Sequence, residues 1–499
     1  MQLKSKQRYN KKVKKRFIIN LFFLLGLNLT IKSFWILGVD RGVQNALPSE
    51  DYGLYFALLN LSFLFNILLD FGLTNYNNRA IAQNKYLLPK YLSHLVPIKF
   101  VMAIVFTIVV MSVALIMGYD VHALKLLAVM CLSQFFASML TYLRSNISGL
   151  LMFKTDSVLS VLDRFLVIIF CSILLWTHWF NVTFKIEYFV YSQLVAYIIN
   201  CLLALAICLK KSGFIRLKWS KAMAYKIIRD SYPFAVLTLL MAFYNKCDSI
   251  MIERLLPNGA EQSGVYASAF RLVDAANMIA YLFSVILLPL FANLISKKED
   301  PKPIIKISTH ILLFVSIGFV IICQLYGHNL MSLMYNKHIN ESFNVFKILS
   351  FCFIPISMTY IFGTLLTANG SLKYLNIVAT IGMVLNIAIN LSLVPRFEAL
   401  GAAYSSLVAQ SITALLQIII ALRVFDIKFK ALYAIRLTLF IVSLIISAIA
   451  IKHISLSWGY DVMISLGAMT LLSFVFGIFN FKDILHLFTS YINKKQPTE

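Results

Sequence analysis

The sequence predicts an all-α integral membrane protein with about fourteen transmembrane helices. Three observations support this fold class. Apolar residues make up 60% of the 499 residues, and the mean hydropathy of +0.81 lies far above that of water-soluble domains. Long apolar runs recur along the chain, each able to cross roughly 30 Å of hydrocarbon as a helix. Short polar breaks containing Pro, Gly or Asn separate these runs, as expected where helices end.

The first apolar run follows a strongly basic segment, residues 1–16, which we expect to be cytoplasmic. The run is too long for a signal peptide and lacks a small-residue cleavage site, so we expect it to be retained as the first span. The predicted spans lie near residues 17–38, 52–75, 93–117, 122–143, 158–179, 187–209, 232–255, 265–295, 305–327, 344–367, 372–394, 400–423, 432–453 and 460–481.

Two short phrases recur in matching places along the chain. Leu47 and Pro48 precede Tyr-Gly-Leu-Tyr at 52–55, and a second Leu-Pro at 256–257 precedes Gly-Val-Tyr at 264–266. The repeat predicts two lobes of six helices each, 17–209 and 232–424, joined by a basic linker at 210–231. Because six is even, the lobes should be parallel repeats. Two further helices at 425–481 and a cytoplasmic tail at 482–499 complete the predicted organisation.

The net charge of +24 would suggest a nucleic-acid partner in a soluble protein, but its distribution predicts membrane topology instead. The segments between spans should lie alternately on the two sides of the membrane. Those on the side of the N-terminus, with both chain ends, carry 32 Lys and Arg, and those on the other side carry only six. This asymmetry predicts cytoplasmic N- and C-termini and no nucleic-acid partner. The linker at 210–231 reads equally well as an amphipathic helix on the inner membrane surface or as a solvated basic loop.

The seven cysteines fall inside predicted spans, so we expect neither a disulfide framework nor a zinc site. The sequence has no Walker-type glycine loop, no HExxH and no GxSxG, which argues against an ATP-hydrolysing pump. A membrane-embedded transferase would show clustered acids or His at a membrane face, whereas the eight His are scattered. We therefore expect a protein that is not an enzyme and that needs no metal or cofactor.

Polar side chains inside the spans are the candidate site residues, because a charge at mid-bilayer costs about 2.5–3.5 kcal/mol. Except for Arg164 in the fifth span, they form polar faces on the first two helices of each repeat, as an aqueous cavity between the lobes would require. The cavity candidates are Lys32, Arg164, Lys246, Arg271, Asn28, Asn66, Asn245, Asn277 and Tyr281, and the candidates for gating or ion coupling are Asp70, Asp248 and Asp274.

Two structural alternatives compete with these roles. Lys99, Lys125 and Lys347 lie near predicted helix ends, where long basic side chains extend to the membrane surface. Lys246 or Arg271 could instead pair with Asp248 and hold helices together. Pairing and substrate contact are compatible, since a charge can exchange partners when helices move.

Several ordered segments resemble the polysaccharide and oligosaccharide flippases, a branch of the multidrug/oligosaccharidyl-lipid/polysaccharide (MOP) exporter superfamily. Each segment is short, but together they span nearly the whole chain in the family's order. The segments are LPSEDYGLY at 47–55, LDFGL at 69–73, RAIA at 79–82, YP at 232–233, YNKCDSIM at 244–251, GVYASA at 264–269, and Pro395 followed by LGAAY at 400–404.

The resemblance implies a V-shaped bundle with a cationic central cavity. It implies transfer of an undecaprenyl-diphosphate-linked oligosaccharide to the outer leaflet of a bacterial inner membrane, for O-antigen or capsule biosynthesis. Lys32, Arg164, Lys246 and Arg271 would attract the diphosphate or acidic sugars. Polymerase and glycosyltransferases of the same pathway are the implied partners, and coupling to Na⁺, H⁺ or the membrane potential is left open.

Three rival functions remain at this stage. A cation-coupled multidrug exporter of the same superfamily would need an acidic or aromatic cavity, whereas the embedded charges here are mostly basic. A lipid II flippase would share the fourteen-helix plan. A non-transporting membrane component of a glycan assembly complex, or a glycan polymerase, is the rival from another class. A polymerase would carry a large outer loop, which the sequence lacks.

Overall fold

A computed structural model describes residues 26, 30–31, 34–176, 184–213, 215–427, 431–453 and 457–476. In these residues every regular element is helical, which confirms the all-α prediction. Ten helical stretches are long and apolar enough to cross a membrane. The total of fourteen spans stays a prediction, because most of the first span and the end of the last lie outside the described residues.

A π-helical turn, Trp35–Asp40, precedes the first α-helix, and two short 3₁₀ helices occupy Asn66–Leu69 and Lys85–Leu87. The α-helices are α1 (Arg41–Ala46), α2 (Ser49–Leu64), α3 (Leu73–Gln83), α4 (Leu88–Ile116), α5 (Val121–Gly149), α6 (Phe153–Trp176), α7 (Ile186–Ser212), α8 (Lys221–Leu255), α9 (Gly259–Ser296), α10 (Lys302–Met334), α11 (Ile339–Phe351), α12 (Phe353–Ala368), α13 (Leu372–Val424), α14 (Ala431–Lys452) and α15 (Trp458–Val475).

The chain forms two compact units, Met1–Gly264 and Val265–Glu499. In the first unit α5 packs on α7 and α3, and α2 packs on α8. Side chains of α4, α5 and α7 form its main apolar core, including Leu92, Leu143 and Ala204. The predicted lobe boundary at 210–231 comes from internal repetition and stays a prediction. The spatial division instead falls inside α9.

In the second unit α12 packs on α13, and α10 packs on α11, α12 and α15. Its C-terminal hairpin, α14 and α15, joins α10 through a small apolar cluster of Ile317, Phe440, Leu444 and Met469. Gly318 allows the close approach, because a Cβ there would lie 2.3 Å from the Met469 sulfur. Small residues serve this purpose in membranes, where helix association depends on close packing.

One predicted span differs from the structure. The span at 52–75 is interrupted after Leu64. The span at 344–367 lies within one candidate membrane helix, Ile339–Ala368, in which α11 and α12 meet at Cys352 with its backbone still in the right-handed helical region. The range α13 contains two helical segments, because Glu398 (φ 54°, ψ −135°) is not helical, and these segments agree with the predicted spans at 372–394 and 400–423. Of the two alternatives for the basic linker, a continuous amphipathic helix does not form. Residues 215–220 form no regular element, and α8 begins at Lys221.

Candidate functional site

An interruption in the second predicted span is the first unusual feature of the candidate site. Helix α2 ends at Leu64, a 3₁₀ turn follows, and the backbone then turns through Phe71 (φ 42°) and Gly72 (φ 77°) before α3. The left-handed conformation at Phe71 is unfavourable for a residue with a Cβ. Gly72 tolerates it. Such a break leaves backbone groups without helical partners, and within a membrane those groups need others.

Lys99 on α4 supplies the missing partner. Its Nζ donates to the Leu69 carbonyl at 2.9 Å, to Asp70 Oδ1 at 2.6 Å and to Ser138 Oγ at 2.9 Å. These three bonds use all three ammonium protons. The Lys99 side chain is 2% exposed and the Asp70 side chain 29% exposed. Lys99 is therefore a buried ion-pair partner, and the interpretation that it extends to the membrane surface is wrong.

Asp70, a predicted gating or coupling residue, also begins the next helix. Its carboxylate accepts hydrogen bonds from the Thr74 hydroxyl and, at 3.4 Å, from the Thr74 backbone N–H. A carboxylate at this position satisfies free N–H groups and interacts favourably with the positive end of α3. Asn66, a cavity candidate in the same break, donates to Gln134 Oε1 of α5 at 3.4 Å. The interruption thus links α2, α3, α4 and α5.

A second group of candidates lies where α8 packs on α2. Asn60 of α2 donates to Ser249 Oγ of α8 at 2.8 Å. The Lys246 Nζ lies 5.9 Å from the ring centroid of Phe63, within range of a cation–π contact. Asp248 is buried on the same helix, and Asn245 donates to the Met241 carbonyl at 2.8 Å. Lys246 is therefore partly held by an aromatic face.

The remaining described candidates lie on α6 and α9. Arg164 on α6 is one third exposed and lies 3.7 Å from the carboxylate of its neighbour Asp163. The predicted polar stripe of Arg271, Asp274, Asn277 and Tyr281 lies on α9. Tyr281 is 48% exposed and makes an edge contact with Tyr360 of α12. Lys32 and Asn28 lie outside the described residues. The cavity and coupling roles of all these residues stay predictions.

The two repeated phrases meet each other in the first unit. A Cβ at Gly53 would lie 1.8 Å from the Ala260 carbonyl oxygen, and one at Gly264 would lie 2.5 Å from the Ser49 carbonyl oxygen. The Ser263 hydroxyl donates to the Gly53 carbonyl at 3.0 Å. The N-terminal turns of α2 and α9 therefore touch backbone to backbone, which requires glycine on both sides.

A polar latch ties the end of α8 to the connection between α4 and α5. Arg254 makes two hydrogen bonds of 2.6 Å with the Glu253 carboxylate and a third, of 3.1 Å, with the Met117 carbonyl. The Tyr119 hydroxyl donates to Glu253 Oε2 at 2.8 Å, and the Arg254 guanidinium lies 3.7 Å from the Tyr119 ring centroid. Sequence reasoning used Arg254 only to assign topology. Its aromatic partner, Tyr119, lies 135 positions earlier, and no local sequence pattern predicts their contact.

The latch predicts a specific pH dependence. Burial, with a contribution from Glu253, raises the pKa of Tyr119 above its ordinary value, about 10. A group with a raised folded-state pKa stabilises the fold below its unfolded pKa and loses that contribution as pH rises through the folded value. We expect Tyr119→Phe to reduce the loss of stability above about pH 10. Thermal unfolding of both proteins from neutral to alkaline pH measures this, and parallel curves would contradict it.

A family model described as "Polysaccharide biosynthesis protein" matches residues 42–295. The chain belongs to this family. The match includes the helix interruption, the glycine contact and the latch. No sequence among curated proteins matches this chain. In the part of the chain that the structure describes, no group of three His, Cys, Asp or Glu side chains could hold a metal ion.

Solved structures of the MOP superfamily share the fold of this polysaccharide biosynthesis protein. The lipid II flippase MurJ in an inward closed conformation matches with a TM-score of 0.69 at 14% identity, covering 94% of this chain and 99% of MurJ. An inward-facing multidrug resistance MATE transporter matches with a TM-score of 0.63 at 14% identity, covering 80% of this chain and 98% of its own. A MOP transporter from Pyrococcus furiosus, described as having a binding pocket of reversed polarity, gives 0.57 at 13% identity, with 82% and 95% covered.

Proposed function

We propose that this family member is a flippase for a lipid-linked oligosaccharide. Its cargo would be an undecaprenyl-diphosphate-linked repeat unit, moved from the inner to the outer leaflet of a bacterial inner membrane for O-antigen or capsule biosynthesis. The observation that carries the proposal is the family match over residues 42–295. The MOP fold, shared with a lipid II flippase, supports a transport role.

The physical task of such a protein is to remove a desolvation barrier. Sugar hydroxyls and a diphosphate would otherwise cross hydrocarbon unsolvated, at several kcal/mol for each unpaired polar group. Cationic side chains in the membrane would provide alternative solvation, and Lys32, Arg164, Lys246 and Arg271 are the proposed contacts. An anion moving outward also gains about 2.3 kcal/mol per charge for each 100 mV of inside-negative potential. Coupling to Na⁺ or H⁺ through Asp70, Asp248 or Asp274 would add to this.

The decisive experiment neutralises two of the proposed cargo contacts together. We expect Lys246→Gln with Arg271→Gln to abolish surface glycan, because the diphosphate would lose its charge partners, while the protein level in the membrane stays unchanged. The matched control is Lys125→Gln with Lys347→Gln, since both of these lysines are exposed in the structure and lie outside the proposed contacts. Surface glycan should persist in the control. Normal surface glycan in the first variant would refute the proposal.

Lipid II transport is the second candidate, because MurJ covers nearly the whole chain at the fold level. The two candidates predict different consequences of depletion. Loss of a lipid II flippase stops cell-wall synthesis and is lethal, whereas loss of a repeat-unit flippase removes one surface polysaccharide. Conditional depletion in the native host, with viability and surface glycan measured together, separates them.

A further inference from the structure

A strongly basic surface covers the connection between α7 and α8. It consists of Lys210, Lys211, Arg216, Lys218, Lys221, Lys226 and Arg229, here called the basic patch. All seven side chains are exposed. None forms an ion pair with any side chain that the structure describes. No Asp or Glu occurs between Glu187 and Asp230, so Asp230 at the end of the patch is the one acid close to these seven cations in the sequence.

The backbone beneath the basic patch is fixed, although residues 215–220 are not helical. The Lys218 backbone N–H donates to the Ser93 carbonyl of α4 at 2.9 Å, and the Ser93 hydroxyl donates to the Arg216 carbonyl. Ile215 packs against the apolar core of the first unit. Inward contacts made by the backbone and Ile215 leave the basic side chains of this segment free to point outward. The backbone beneath the patch is thus already ordered, so binding a ligand would cost little backbone entropy.

Large apolar side chains lie among the cations. Leu217 is 59% exposed, Trp219 is 50% exposed and Tyr225 is 68% exposed. Trp and Tyr are enriched at the headgroup level of a bilayer, because each has an apolar ring and a polar N–H or O–H group. Basic side chains interleaved with aromatics favour a lipid surface, where anionic headgroups and apolar acyl chains lie next to each other.

We infer that the basic patch binds the phosphate groups of anionic phospholipids, with Leu217 and Trp219 inserted beside the headgroups. Juxtamembrane Lys and Arg attract anionic lipids within about a Debye length, roughly 8–10 Å at physiological salt. The interaction holds the α7–α8 connection against the membrane surface. It goes beyond the proposed transport function and does not depend on the identity of the cargo.

Lipid binding to the purified full-length protein tests the inference. Native mass spectrometry would compare phosphatidylglycerol with phosphatidylcholine carrying the same acyl chains. We expect the wild-type protein to retain more phosphatidylglycerol, and added salt to weaken this preference. The patch variant Arg216→Gln, Lys218→Gln, Lys221→Gln and Lys226→Gln should bind phosphatidylglycerol about tenfold more weakly. Its fold should persist, because the contacts with Ser93 involve the backbone of 216 and 218.

A matched control removes the same number of charges elsewhere. Lys297, Lys298, Lys302 and Lys306 are exposed, but Glu299 and Asp300 lie among them. Replacing these four lysines with Gln should leave phosphatidylglycerol binding unchanged. Equal loss in both variants would show a net-charge effect and overturn the inference, as would no loss in the patch variant. Tighter binding of undecaprenyl diphosphate than of phosphatidylglycerol to the wild type, lost in the patch variant, would overturn the assigned occupant.

Fluorescence provides a second measurement that does not need the patch variant. The difference between wild type and Trp219→Phe isolates the emission of Trp219. In nanodiscs, brominated phosphatidylglycerol should quench that emission more strongly than brominated phosphatidylcholine at equal bromine content. Equal quenching by the two lipids would contradict preferential contact with anionic headgroups.

Discussion

Replacing Asp70 with Asn is expected to lower the free energy of unfolding by about 3–5 kcal/mol. The substitution leaves Lys99, whose side chain is 2% exposed, as a buried cation without its counter-ion. The Leu69 carbonyl and Ser138 hydroxyl remain as acceptors, but neither offsets a full charge in a low-dielectric interior. Equilibrium unfolding of the purified protein in detergent measures the change.

The double variant Asp70→Asn with Lys99→Met is the control for this prediction. It removes both charges, and neutral replacements of a buried ion pair are often close to neutral in stability. We expect it to be more stable than Asp70→Asn alone, with a favourable coupling energy in the double-mutant cycle. A double variant no more stable than the single one would show that Asp70 acts mainly through Thr74 and the start of α3.

The second large effect is expected at the contact between the repeated phrases. Gly53→Ala should cost about 3 kcal/mol, because its Cβ would lie 1.8 Å from the Ala260 carbonyl oxygen and 2.6 Å from the Gly264 nitrogen. Both obstacles are backbone atoms, so no side-chain rotation relieves the overlap. Thermal unfolding in detergent gives the loss, and Gly264→Ala should behave similarly.

Gly467→Ala serves as the matched control. This glycine also lies inside a helix, α15, but among the described residues no atom outside its own stretch of helix lies within 4 Å of the position of its Cβ. Alanine there should stabilise the helix by about 0.5–1 kcal/mol, because it restricts the unfolded chain and favours helix. If Gly53→Ala were as well tolerated as Gly467→Ala, the backbone contact would not constrain the fold.

The helices were largely predictable, because apolar runs and the polar breaks between them can be recognised in the local sequence. The runs at 122–143, 187–209 and 305–327 coincide with α5, α7 and α10. The interruption at 65–72 was not predicted, since its apolar residues continue the run and only Gly72 marks the turn. The membership in the polysaccharide biosynthesis family was predictable from ordered short segments.

The candidate site was less predictable, because charge partners come from distant positions. Lys99 resembled a lysine near a helix end, yet its partner Asp70 lies 29 positions earlier in a broken helix. Asp70 was selected for its place in an apolar run, and the structure gives it a structural role that sequence spacing did not reveal. Arg254 pairs with its sequence neighbour Glu253, but Tyr119 completes the latch from another helix connection.

By itself the sequence determined the helical membrane class, the internal repetition and the distribution of positive charge. These features follow from composition and hydropathy, which can be read from short stretches of the chain. Only the tertiary structure decided which embedded charges are paired and where a span is broken. It also showed that the glycines of the two repeated phrases face each other. The physical reason is that ion pairs, freed backbone groups and close backbone contacts depend on residues brought together from separate helices, and no local pattern encodes those distances.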